Sequence, residues 1–176
     1  GEIESVMSSK IATANKNKLQ IANKNAEKLL TLINQLLDLS KIDAGNVALN
    51  TEKSNLVAFL KNIFFSFESL AASKNILLLL NSEDENIPAC FDPDKMETIF
   101  YNLLSNALKF TDGPGEISLS VKLRESSKVE ISLIDTGIGI PQEKLPHIFD
   151  RFFQADSSSI RIHGGTRIGL TLVQEI

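Results

Sequence analysis

The chain has 176 residues, a formal net charge of −4, 43% hydrophobic residues and a single cysteine, Cys90, a length that suits one ordinary domain plus a smaller appendage. A chain of this size buries enough surface to need no disulfide or metal staple, and a lone cysteine excludes an intramolecular bridge. The acidic balance, with ten phenylalanines, one tyrosine and no tryptophan, argues against nucleic-acid binding, and with no signal peptide or apolar run of spanning length the segment is expected to be cytoplasmic and without membrane contact of its own.

The first clear pattern runs over residues 25–40, where Ala26, Leu29, Ile33, Leu36 and Ser40 step by three and four and Leu30 and Leu37 widen the stripe. That spacing predicts an amphipathic helix with a bundle-type seam. Residues 10–24 are polar, rich in lysine and asparagine, and are expected to hold the turn of a helical hairpin. Gly45 supplies a helix stop, so the domain boundary is placed there: residues 1–44 as a partial hairpin and 45–176 as a second domain.

Beyond Asn46 short strands alternate with longer helices, the pattern of an α+β layer structure. Strands are predicted over residues 47–49, 76–80, 115–123 and 128–135, the last two joined as a hairpin through Glu125, Ser126 and Ser127. Helices are predicted over residues 55–74, 94–110 and 145–153, and a further helix begins at Ile168 and is left unfinished at Ile176.

Three motifs in this second part carry chemistry. On the 94–110 helix, Asn102, Asn106 and Lys109 fall on one face, so two amide oxygens and an ammonium converge, a sensible cradle for Mg²⁺ and phosphates; a polar outer face is the simpler alternative. Next, Asp135-Thr136-Gly137-Ile138-Gly139-Ile140-Pro141 delivers a carboxylate from a strand into a glycine turn. A buried carboxylate only accepts, so it would pair with the amino group of adenine and reject guanine, at about 1.5–3 kcal/mol or about ten- to a hundredfold in affinity. Gly137 and Gly139 would let the backbone approach the ring and adopt positive φ. Ile140-Pro141 stands where a dinucleotide-binding loop needs its third glycine, which leaves a plain β-turn as the rival. Third, Phe149, Arg151, Phe152 and Phe153 lead through a serine run to Gly164-Gly165-Thr166-Arg167-Ile168-Gly169-Leu170. Glycines ahead of a helix leave amides that can bind phosphate, and the stretch reads as a lid; for the phenylalanines, core packing is the plain alternative.

The order of these pieces resembles the N, G1, F and G2 boxes of the histidine-kinase ATPase family, whose nucleotide fold is shared with type II topoisomerases, Hsp90 and MutL. Residues 32–42 are similar to the second helix of a kinase dimerisation and phosphotransfer hairpin, and the wording is closest to hybrid two-component sensors. The resemblance implies a two-layer sandwich of the Bergerat type, short of its last strands, binding ATP and Mg²⁺. It implies that Asn102 and Asn106 hold Mg²⁺ and phosphates, Lys109 contacts phosphate, Phe110 packs near the nucleotide, Asp135 binds adenine with Gly137 and Gly139 shaping the pocket, Arg151 reaches the terminal phosphate, and Gly165, Thr166, Gly169 and Leu170 wrap the phosphates. The implied partners are a second copy, through the hairpin, and the receiver domain of a response regulator. The implied parent is anchored in the bacterial inner membrane.

Three departures qualify this expectation. The phosphoacceptor box of the form His-Glu-x-Arg-Thr-Pro is absent, and His147 and His163 read as surface residues of the lid region, so the chain by itself is not expected to autophosphorylate. Arg167 stands where the family usually has glycine, and if that position needs a left-handed conformation the cost is about 1–2 kcal/mol. The chain also stops before the strands expected to complete the sheet. The rival readings are a catalytically degenerate nucleotide-binding or dimerisation module and a serine kinase of the anti-sigma type.

Overall fold

The computed structural model describes residues 49–124, 128–151, 153 and 169–176, together with positions 15, 18, 19, 22, 23, 25, 26, 29, 30, 33, 37 and 40. Those twelve N-terminal positions are all helical and exposed. Asn15, Lys18, Leu19, Ala22 and Asn23 are among them, so the hairpin turn expected within residues 10–24 does not fall on these positions. Leu29, Leu30, Ile33 and Leu37 stand exposed along the predicted stripe, while Leu36 and the boundary at Gly45 lie outside the described residues.

The remaining elements follow in the order β1 (Glu52–Asn55), α1 (Leu56–Ser66), α2 (Glu68–Ser73), β2 (Ile76–Ser82), β3 (Pro88–Phe91), α3 (Pro93–Phe110), β4 (Gly115–Arg124), β5 (Lys128–Asp135), a 3-10 helix (Gln142–His147) and α4 (Gly169–Glu175). Of the strand expected at 47–49 only Leu49 is described, and it has no regular structure. The chain instead forms β1 three residues later, antiparallel to β3 from Glu52 opposite Phe91 to Asn55 opposite Pro88. Neither strand announces itself by alternation; each exists because the other satisfies its backbone groups.

Asn55 then ends β1 and starts α1. Its Oδ1 accepts from the amides of Val57 at 3.1 Å and Ala58 at 3.4 Å, an N-cap, while its Nδ2 donates to the Glu85 carbonyl at 3.0 Å. The single helix expected over 55–74 is broken at Phe67, where φ is −90° and ψ is −1°. There the Phe67 ring meets Tyr101 with centroids 5.0 Å apart, and the turn lets α2 bury Ala71. By length and composition Leu56–Ser73 would suffice to cross a membrane, contrary to the reading of the sequence. Here its apolar residues Leu56, Val57, Leu60, Ile63 and Phe64 enter the protein core instead.

The larger sheet has the order β2-β4-β5, with β2 and β4 parallel and β4 and β5 antiparallel. Helix α3 makes the crossover that a parallel pair requires. Asp92 caps it, with Pro93 at the first turn: Oδ1 accepts from the Lys95 amide at 3.1 Å, and Oδ2 from the Asn50 amide at 2.8 Å. These amide bonds hold the Asp92 carboxyl below the ordinary aspartate range. One face of the sheet presents Ile76, Ile117, Leu119 and Val121 to α1 and to Phe100, Leu104, Ala107 and Leu108 of α3. Each of the larger side chains among them contributes about 1.5–3 kcal/mol when fully buried. The architecture is α+β, as expected.

The helix predicted over 145–153 is replaced by the earlier, tighter 3-10 helix, and the described residues 148–151 and 153 are not helical. Pro146 is the reason: it lacks an N–H and disfavours the α region for Leu145 before it. Helix α4 packs along α3 and buries Thr171 and Leu172.

Candidate functional site

The site is built where the C-terminal half of α3 meets the loop after β5 and the start of α4. Along α3 the apolar positions Phe100, Leu104, Ala107 and Leu108 face the core, which turns Asn102, Asn106 and Lys109 to half-exposed positions. Asn102 is oriented: its Nδ2 donates to the Thr98 carbonyl at 2.8 Å, so the amide oxygen is the end turned toward α4. A Cβ on Gly169 would lie 2.6 Å from that Oδ1, so α4 begins in direct contact with Asn102. The Asn106 side chain has no hydrogen-bond partner among the described residues. The Lys109 ammonium lies 4.4 Å from the centroid of the Phe110 ring, and partial burial holds its pKa below the ordinary lysine range.

The end of α3 is joined to the glycine turn through main-chain atoms. The Ile138 amide donates to the Phe110 carbonyl at 3.2 Å, and the Lys74 ammonium donates to the Leu108 carbonyl at 2.6 Å. Thr136 extends the pairing of β4 and β5, its amide donating to the Glu116 carbonyl at 3.0 Å and its Oγ1 accepting from the Glu116 amide at 2.9 Å. Asp135 Oδ1 accepts from the Gly137 amide at 2.9 Å, which fixes the carboxylate plane.

Two expectations change here. Asp135 is exposed rather than buried, because it stands at the end of β5, an edge strand among the described residues. Of the two glycines only Gly139 has positive φ, at 69°; Gly137 is required for space, since a Cβ there would meet the Phe110 carbonyl oxygen at 2.5 Å and Asp135 Oδ1 at 2.6 Å.

Phe149, Asp150 and Arg151 are exposed, and His147 Nδ1 and Asp150 Oδ2 are 2.8 Å apart at the surface. Leu170 is half-buried. Phe152, His163, Gly165, Thr166 and Arg167 lie outside the described residues. Thr171, which sequence reading did not single out, is buried and donates from Oγ1 to the Phe149 carbonyl at 2.8 Å. Its only sequence signal was a hydroxyl among the apolar positions of the last helix. A cavity of about 310 Å³ beside Lys61, Leu80 and Lys122 lies at the opposite end of β4 and contains none of these residues.

The donor set fits Mg²⁺. Asn106 and the oriented oxygen of Asn102 offer hard neutral oxygens. Such a site suits an ion that keeps its waters and takes phosphate oxygens.

Residues 91–176 match the family described as Histidine kinase-, DNA gyrase B-, and HSP90-like ATPase. The chain is 39% identical over 161 residues to Hybrid signal transduction histidine kinase D of Dictyostelium discoideum, covering 89% of this chain and 10% of that protein. It is 32% identical over 159 residues to Sensor histidine kinase WalK of Bacillus subtilis, covering 90% of this chain and 26% of that protein. Among solved structures, full-length ShkA in complex with AMPPNP superposes with a TM-score of 0.73 at 24% identity, over 84% of this chain and 30% of that one. Histidine kinase ThkA in complex with response regulator protein TrrA superposes with a TM-score of 0.63 at 23% identity, over 80% of this chain and 40% of that one. Residues 91–176 carry the ATPase domain of that family, in the Bergerat fold, and over most of its length the chain is similar to sensor histidine kinases. It spans well under half the length of these curated relatives.

Proposed function

We propose that this chain binds Mg·ATP and serves the transfer of the γ-phosphoryl group to a histidine, for relay to an aspartate of a response regulator. The observation that carries the reading is the joint between α3 and the glycine turn, in which the Ile138 amide bonds to the Phe110 carbonyl. It sets the Asn106–Lys109 end of α3 beside the Asp135 turn, so one ligand can reach both.

Asp135 would accept the adenine amino group on the carboxylate that the Gly137 amide has already oriented. Lys109 would meet the phosphates, and Asn106 with Asn102 would hold Mg²⁺. When bound, that ion screens the phosphate charge and supplies Lewis acidity. Partial desolvation strengthens the pull of Lys109 on phosphate, and positioning with charge neutralisation supplies most of the acceleration in phosphoryl transfer. The exposed leucine stripe of the N-terminal helix supports a homodimer through that helix. A cytoplasmic place, in a parent anchored in a membrane, rests on the family resemblance.

Calorimetric titration with Mg·ATP, with Mg·GTP and of an Asp135→Asn variant tests the reading. ATP is expected to bind, GTP to bind not at all, and the variant to lose about ten- to a hundredfold in affinity. A folded chain that binds neither nucleotide would overturn it.

A further inference from the structure

We propose that Thr171 is a positioning residue of the nucleotide site, acting through Gly169 on Asn102; the inference rests on the ATP-binding reading above. A threonine within a helix ordinarily turns its hydroxyl back to its own preceding turn. Thr171, only 3% exposed, instead donates across to the Phe149 carbonyl, 22 residues earlier in the chain and at 2.8 Å. That bond fixes the first turn of α4 against the segment that follows the 3-10 helix.

The same turn carries Gly169, two residues away, whose missing Cβ leaves only the room that Asn102 Oδ1 occupies. Asn102 is held from its other end by the Thr98 carbonyl. Phe149, Thr171, Gly169, Asn102 and Thr98 therefore form one line across three pieces of the fold. A clearance this tight responds to shifts of tenths of an ångström, so releasing Thr171 changes how the Asn102 oxygen is presented. Valine at position 171 keeps the shape, removes the donor and leaves the Phe149 carbonyl without it. Serine keeps the donor.

The experiment uses the whole chain and follows Mg·ATP affinity by calorimetry for wild type, Thr171→Val, Thr171→Ser, Asn102→Ala and the Thr171→Val/Asn102→Ala double variant. The side-chain amide resonances of Asn102 are recorded alongside. Thr171→Val is expected to weaken binding about three- to tenfold, Thr171→Ser to stay within about twofold of wild type, and Thr171→Val to add little once Asn102 is alanine. The Asn102 amide signals should move in the valine variant and not in the serine one. Unchanged affinity in Thr171→Val with a lowered Tm, additive losses in the double variant, or failure of serine to restore binding would each overturn the proposal. If wild type binds no ATP, the nucleotide reading falls by itself and the amide resonances decide: movement in Thr171→Val supports the link, and an unchanged spectrum rejects it. Should the valine variant not fold, Thr171→Ala takes its place in the same comparison.

Discussion

The two sides of the site are held by different kinds of contact. On the Asp135 side, main-chain groups do the holding: Ile138 to Phe110 and Thr136 to Glu116. On the Asn102 side, side chains do it: Asn102 to Thr98, Thr171 to Phe149 and the Lys109 ammonium over the Phe110 ring. Backbone atoms cannot move without dragging a helix or strand along, whereas a side chain turns about single bonds at small cost. The adenine side should therefore be rigid and unforgiving, and the phosphate side adjustable.

Matched glycine substitutions bring that contrast to a test. Gly137→Ala forces a Cβ to 2.5 Å from the Phe110 oxygen and 2.9 Å from its carbon, both backbone atoms. It should lower stability by about 1–3 kcal/mol in thermal or denaturant unfolding, and reduce ATP affinity by more than about tenfold because the joint to Ile138 must open. Gly169→Ala meets the far end of the Asn102 side chain at 2.6 Å, which can swing aside. Its stability should change by less than about 0.5 kcal/mol, while ATP affinity falls about three- to tenfold. Equal stability losses in the two variants would dissolve the distinction.

The smallest expected effect lies far from both sides, at the N-terminal cap of α3, and serves as the control. Amide bonds depress the folded pKa of Asp92, so its contribution to stability is in full above the unfolded value of about 3.9 and is lost as pH falls through the lower folded value. An Asp92→Asn variant should show a shallower fall of Tm on acidification below about pH 4 than wild type. ATP affinity at neutral pH should be the same as wild type within about twofold. Parallel acid profiles would remove Asp92 from the account.

What the sequence disclosed follows the same division. Helix α3 and the β4–β5 hairpin were legible because their apolar residues recur at periods of 3.6 and 2, and β2 as a short apolar run; Phe100, Leu104, Leu108, Ile117, Leu119, Val121 and Ile76 among them are buried. Strands β1 and β3 were not, since Glu52-Lys53-Ser54-Asn55 carries no alternation and its pairing partner lies more than thirty residues on. The break at Phe67 coincides with its ring contact to Tyr101, which no local window contains. Pro146 is visible in the sequence, and its missing N–H outweighs the apolar spacing that predicts a helix around it. Within the site, the side chains of Asn102, Asn106, Lys109 and Asp135 could be picked out as candidates by type and spacing. Thr171 could not, because its role is a single bond to a carbonyl, and every residue has one of those.

The joint between Ile138 and Phe110 involves only an amide hydrogen and a carbonyl oxygen. Neither side chain takes part, so both positions are at liberty to drift while the connection persists, provided that proline does not arrive at 138. Two distant descendants could share this connection without a single residue in common at either position. Inspection of letters would then report the feature lost in both, although every atom that makes it would still be in place.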